Sequence, residues 1–166
     1  PLHIKGLLKW LAPLVRKNSE WLHTLATLGV PIVGIEPSMV LTYRDEYPKS
    51  LGIKQLPVEI LLPQEWLVKQ ADQLRSNRIL EPLRSYRLLG HCSEKTLALQ
   101  SQKQWQNIFK KLGLDLKLEA TGCCGMAGTY GHEKEHYEES RGIFKMSWQH
   151  HMPIELTQQA TVLATG

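Results

Sequence analysis

Two of the chain's three cysteines stand side by side, in the run Thr121-Gly122-Cys123-Cys124-Gly125-Met126-Ala127-Gly128. Neighbouring cysteines bond poorly to each other, because a disulfide wants well-separated Cα atoms and converging side-chain vectors. Two thiolates between chain-bending glycines can instead reach one metal centre. Cys92 lies upstream, directly after His91. Iron–sulfur clusters and structural zinc usually take four ligands per site, so a cluster here needs a further ligand. The alternative is that the three cysteines are small buried hydrophobes, as free cysteines often are. Packing alone requires neither the flanking glycines nor His91.

Other residues invite weaker readings. His132-Glu133-Lys134-Glu135-His136 matches the H-E-x-x-H zinc motif, which needs both histidines on one face of a partly buried helix. A glycine precedes it and charged residues flank it, so a solvated, acid-rich first turn near a helix N-terminus is the better reading. Glu36-Pro37-Ser38-Met39 reads as a strand-to-helix turn with Ser38 as its cap, and Arg44, Asp45 and Glu46 form a solvated face or line a site. His150-His151 reads as a surface loop before Pro153. The five tryptophans, Trp10, Trp21, Trp66, Trp105 and Trp148, fall on helical patterns as core or rim residues, some of them able to face another domain.

Short apolar runs position these residues. Residues 30–35 lead into Glu36-Pro37-Ser38, 86–89 into Gly90-His91-Cys92, 115–120 into the double-cysteine loop, and 161–164 into Thr165-Gly166. Between them lie helical patterns. Trp105, Ile108, Phe109 and Leu112 share one face of a helix that Ser93 would cap and Gly113 would end. Pro63 suits the first turn of another helix running through Trp66, Leu67, Ala71 and Leu74. Residues 3–28 read as helix, with interruptions expected at Pro13 and Asn18-Ser19. Alternating strands and helices predict an α/β fold, a small parallel sheet with helices on both faces. All four loops would then leave the carboxyl ends of their strands, the edge where open α/β sheets place ligands.

Composition narrows the function classes. At 166 residues the chain is expected to form a single domain. The 42% hydrophobic and 22% charged fractions are those of a globular protein, and no apolar stretch is long enough for an integral membrane segment. The net charge of +4 comes from scattered Lys and Arg, which excludes a nucleic-acid footprint. Without a signal peptide, a reducing cytoplasm is the default. The lack of an initiator Met leads us to expect a fragment.

Together, residues 29–38, Leu41-Thr42-Tyr43-Arg44-Asp45-Glu46-Tyr47, His91-Cys92 and Gly122-Cys123-Cys124-Gly125-Met126-Ala127-Gly128-Thr129-Tyr130-Gly131 resemble a known module. It is the cysteine-rich CCG domain of glycolate oxidase iron–sulfur subunits and heterodisulfide reductases, and in particular the C-terminal part of bacterial FAD-linked oxidases of the D-2-hydroxyglutarate dehydrogenase type. The resemblance covers about residues 28–50 and 86–166. It implies a Rossmann-like fold, an iron–sulfur cluster (4Fe-4S) in the intact protein, and FAD on an upstream domain. Ferredoxin-like domains of the same protein or complex and a small D-2-hydroxy-acid substrate such as D-2-hydroxyglutarate, glycolate or lactate would be its partners. Carried over by position, Cys92, Cys123 and Cys124 match the family's metal ligands. His91, Gly122, Gly125, Glu36 and Ser38 match the residues around the cofactor, and no catalytic residue is assigned. Met39 stands where many relatives carry a cysteine, and Ala164-Thr165-Gly166 resembles the lead-in to a further cysteine-bearing segment. The chain alone is therefore expected to be inactive and to lack a complete cluster. Two other readings stay open, a metal-free docking domain packed on the flavin domains and a structural zinc site built from Cys92, Cys123, Cys124 and His91.

Overall fold

The computed structural model describes residues 2–3, 5–74, 85–152 and 160–166. They divide into two compact units, Pro1–Pro63 and Gln64–Gly166.

The first unit opens with helix α1, Leu8–Thr27. It runs unbroken through both expected interruptions. Pro13 lies near its start and removes one amide donor, leaving residues 14–27 to propagate. Ser19 and Asn18 satisfy their polar groups without leaving the helix: Ser19 Oγ donates to the Val15 carbonyl at 2.8 Å, and Asn18 Nδ2 donates to the Tyr47 hydroxyl at 3.0 Å. Strand β1, Ile32–Val33, then feeds helices α2, Pro37–Arg44, and α3, Glu46–Leu51, before strand β2, Ile60–Leu61. β1 and β2 pair in parallel, Ile32 with Ile60 and Val33 with Leu61. The core gathers Val15, Val40, Leu41, Tyr47, Leu56, Ile60 and Leu61. Gly34 is needed at the exit of β1, since a Cβ there would meet Val40 Cγ2 at 2.4 Å.

Glu36, and not Ser38, caps α2. Pro37 occupies the first turn, where its missing N–H costs nothing. The Glu36 carboxylate accepts from the Ser38 amide at 3.2 Å, the Met39 amide at 2.7 Å and the Ser38 hydroxyl at 2.6 Å. A carboxylate does this better than a hydroxyl because it also carries the negative charge a helix N-terminus favours. Arg44 is not simply solvated, for its Nε donates to the Ile60 carbonyl at 2.7 Å.

The second unit begins in helix α4, Pro63–Lys69, which starts at Pro63 as expected and stops short of Ala71 and Leu74. Strand β3, Ser85–Leu89, is followed by helices α5, Cys92–Leu97, and α6, Ser101–Lys111. Strand β4, Leu116–Glu119, helix α7, Tyr137–Met146, and strand β5, Ala160–Ala164, complete it. The sheet order is β4-β3-β5 and every pairing is parallel. Leu88, Leu89, Ile108 and Leu116 are buried. Tyr86 meets Phe109 edge to face at 5.4 Å, fixing α6 to the strands. Gly113, at φ 75°, ends α6 in the left-handed conformation that glycine tolerates.

The fold is thus α/β with small parallel sheets flanked by helices, as the alternation of strands and helices predicts. Two details differ. Ser93 does not cap one long helix: Ala98 leaves the helical region at φ −135°, ψ 63°, and the chain turns between α5 and α6. That turn brings the Ser101 hydroxyl to the buried Glu94 carboxylate at 2.8 Å. Among the described residues, no helix is long and apolar enough to cross a membrane.

Candidate functional site

Because β3, β4 and β5 are parallel, the segments that leave their carboxyl ends emerge at one edge of the sheet. These are Gly90-His91-Cys92 after β3, residues 120–129 after β4, and Thr165-Gly166 after β5. Leu89 and Glu119, the last residues of β3 and β4, are register partners. The two cysteine-bearing segments therefore start side by side. Glu36 and Ser38 belong to the first unit, where they close the N-terminus of α2.

His91 precedes α5 and caps it: its Nδ1 accepts from the Ser93 amide at 3.2 Å. Its own amide donates to Thr165 Oγ1 at 2.9 Å, and the Thr165 hydroxyl donates to the Glu94 carboxylate. Glu94 is 1% exposed and also accepts from Gln64 Nε2 at 2.9 Å and from Ser101. Buried carboxylates need such donors. Here they tie the exit of β5 to the Cys92 turn.

The loop after β4 is held at several points. The Lys95 ammonium donates to the Thr121 carbonyl and, at 2.7 Å, to the Thr121 hydroxyl. The Gly122 amide donates to Ser147 Oγ at 2.6 Å, and Trp148 Nε1 donates to the Gly122 carbonyl at 3.2 Å. Gly125 takes φ 92°, and a Cβ there would lie 2.3 Å from the Ser140 carbonyl oxygen. Its amide donates to Cys123 Sγ at 3.3 Å, a hydrogen bond of the kind that stabilises a thiolate. Burial pulls the Lys95 pKa below the usual lysine range, and the neighbouring Cys92 opposes that shift.

Cys92 and Cys123 are exposed, Cys124 is half-buried, and all three are free. The alternative that they are buried packing residues is therefore corrected: the glycine turns and the start of α5 hold them at the surface. Soft, reachable thiols on two neighbouring strand ends are the donors an iron–sulfur group would use. Among the described residues, however, no three His, Cys, Asp or Glu side chains form a group that could hold a metal ion. The donors are right in kind and incomplete as a set.

The remaining motifs resolve in structural terms. His132 and His136 fall in separate 3₁₀ turns, Tyr130–His132 and Lys134–His136, so no single helix face presents both. His136 stacks on Tyr130 and lies 3.0 Å from Glu139. Glu138 and Glu139 supply the acidic first turn of α7. His151 corrects the surface-loop reading, because it lies half-buried in the 3₁₀ turn Trp148–His151, 3.4 Å from Glu119 and 3.3 Å from Arg87 Nη2. Glu119 also pairs with Arg87 at 2.8 Å and Lys117 at 3.2 Å. The Arg87 hydrogen bond does most to hold its carboxyl below the usual carboxylate range, against the effect of burial and with help from Lys117.

Reading by motif passed over Lys95, Glu94 and Ser147, and gave Thr121 and Thr165 no role of their own. Lys95 had a local signal, one helical turn after Cys92 on α5. Ser147 had none, since only the fold brings it to Gly122.

No protein-family model and no solved structure matches the chain. Curated relatives do. The D-2-hydroxyglutarate dehydrogenase of Pseudomonas putida is 46% identical over 166 residues, covering 100% of this chain and 16% of that protein. The Escherichia coli D-2-hydroxyglutarate dehydrogenase is 41% identical over 165 residues, covering 99% of this chain and 16% of the relative. One component of the Escherichia coli anaerobic glycerol-3-phosphate dehydrogenase is 32% identical over 119 residues, covering 69% of this chain and 29% of that polypeptide. The chain thus spans a small part of the proteins it matches. The resemblance carried by the cysteine motifs holds: over its full length the chain is similar to one segment of the D-2-hydroxyglutarate dehydrogenases, consistent with a CCG-type domain.

Proposed function

We propose that this chain serves as the cysteine-rich domain of a FAD- and iron–sulfur-dependent oxidoreductase that oxidises a D-2-hydroxy acid. The observation that carries the reading is the shared sheet edge: Cys92 and the Cys123–Cys124 pair follow neighbouring parallel strands, within a chain that matches D-2-hydroxyglutarate dehydrogenases over its full length. Cys92, Cys123 and Cys124 would supply thiolates to an iron–sulfur centre completed by other residues of the whole protein. When bound, such a centre passes single electrons onward from the flavin. The chain's own contribution is to hold the thiols at the surface, aim the Gly125 amide at Cys123 Sγ, and fix both turns by hydrogen bonds. FAD, the ferredoxin-like region and the 2-hydroxy acid would belong to the rest of the same protein or complex.

A second reading, a docking module with no redox role, draws on the exposed apolar side chains of α1, among them Trp10, Leu14 and Trp21.

The test replaces the matching segment of the Pseudomonas putida relative with this chain, then reconstitutes the chimera anaerobically with iron and sulfide. We expect a broad visible charge-transfer band and bound iron attributable to this segment, both lost in the Cys123→Ser/Cys124→Ser double variant. Iron content and spectrum that ignore the double substitution would overturn the ligand assignment. Zinc in place of iron would favour the structural zinc site.

A further inference from the structure

We infer that Lys95 is a positioning residue for the cysteine edge, bracing the Cys92 turn against the loop that carries Cys123 and Cys124. Lys95 lies on α5, the helix that Cys92 begins, while both of its acceptors belong to Thr121, two residues before Cys123. One side chain therefore ties the segment after β3 to the segment after β4. A carbonyl and a hydroxyl of the same residue, taken by one ammonium, fix direction as well as distance. Charge-assisted bonds of this kind are the stronger sort.

The loop's other anchors pull elsewhere. Ser147 and Trp148 hold Gly122 from the end of α7, and Ser140 crowds Gly125 from the same helix. Those contacts fix the loop to α7 and say nothing about Cys92. Among the described residues, Lys95 is the direct side-chain link from α5 to the double-cysteine loop. The ammonium is half-buried beside Cys92, so the link is screened less than a surface pair would be. An arginine could reach the same carbonyl, whereas methionine keeps the stem and removes the donors.

The purpose of this brace rests on reading the cysteines as a ligand set, but its geometry does not, so the test is run without metal. The reduced chain is treated with dibromobimane, which bridges two thiols, and separately with monobromobimane, which marks single ones. Bridged and singly labelled peptides are counted by mass spectrometry, and only bridges that include Cys92 are scored. Proximity governs bridging, so Lys95→Met should lower the ratio of Cys92 bridges to single labelling by about fivefold or more. Lys95→Arg should recover most of the ratio, and Thr121→Val, which keeps the carbonyl, should lose part of it. A residue that merely stabilised the fold would change single labelling and the melting temperature without changing the ratio.

An unchanged ratio in Lys95→Met, or the absence of any Cys92 bridge in the unsubstituted chain, overturns the inference. Should Lys95→Met fail to fold, Thr121→Val decides, and an unchanged ratio there overturns it equally. Neither result depends on whether the chimera binds iron, so this brace and the iron–sulfur reading can fail separately.

Discussion

At the scale of single residues, Glu119 closes β4 directly beneath the double-cysteine loop. Arg87 and Lys117 surround its carboxylate, and His151 approaches from the turn after α7. Its pKa is lowered chiefly by the Arg87 hydrogen bond. A carboxyl that is more acidic when folded stabilises the fold above its unfolded pKa, about 4.3 for glutamate. That contribution disappears as pH falls through the lower folded value. Glu119→Gln should therefore be less stable than the unsubstituted chain at pH 7, and the gap should close below about pH 4. Urea unfolding at the two pH values measures it. A gap of equal size at both would mean that the ionised form contributes nothing. Glu94 is buried too, yet its described partners are neutral donors, Gln64, Ser101 and Thr165, so the two carboxylates hold the edge by different means.

At the scale of elements, two glycines near α7 should respond to the same substitution with opposite signs. Gly125 needs its positive φ, and a Cβ would collide with the Ser140 carbonyl of α7 at 2.3 Å. Gly142 lies inside α7, and nothing stands within 4 Å of where its Cβ would go. Gly125→Ala should cost about 2 kcal/mol or more, from backbone strain and the clash together. Gly142→Ala should gain about 0.5–1 kcal/mol from helix propensity alone. Denaturant midpoints at constant slope decide both, and a harmless Gly125→Ala would refute the described loop conformation. The glycines flanking the cysteines were legible in the sequence as a turn, and so were the strand ends at 86–89, 115–120 and 161–164. What could not be read was which partner makes a turn necessary. Ser140 reaches Gly125 only after α7 folds back, and Ser93 is no cap because it already lies inside α5, where its amide donates to the ring of the capping His91. Strand β2 escaped for a related reason: Ile60–Leu61 is too short to show a period, and its pairing with β1 is the signal.

At the scale of the whole molecule, the apolar side chains of α1 ask for a partner that the first unit does not provide. Val15 is its buried residue, while Trp10 is 71% and Trp21 62% exposed, with Leu8, Leu14 and Leu25 also open. Isolated apolar residues on a surface are ordinary, but a helix that presents two tryptophans and several leucines to water marks an interaction face. The chain spans 16% of the D-2-hydroxyglutarate dehydrogenases it matches, and under the proposed function the rest of such a protein is the natural occupant. Hydroxyl-radical footprinting reads this residue by residue, since tryptophan oxidises in proportion to its exposure. Trp10 and Trp21 should oxidise readily in the chain alone and several-fold more slowly within the full-length chimera, while buried Trp148 stays slow in both. Equal rates for Trp10 and Trp21 in the two settings would leave α1 facing solvent in the assembled enzyme. The docking reading would then lose the observation that favours it.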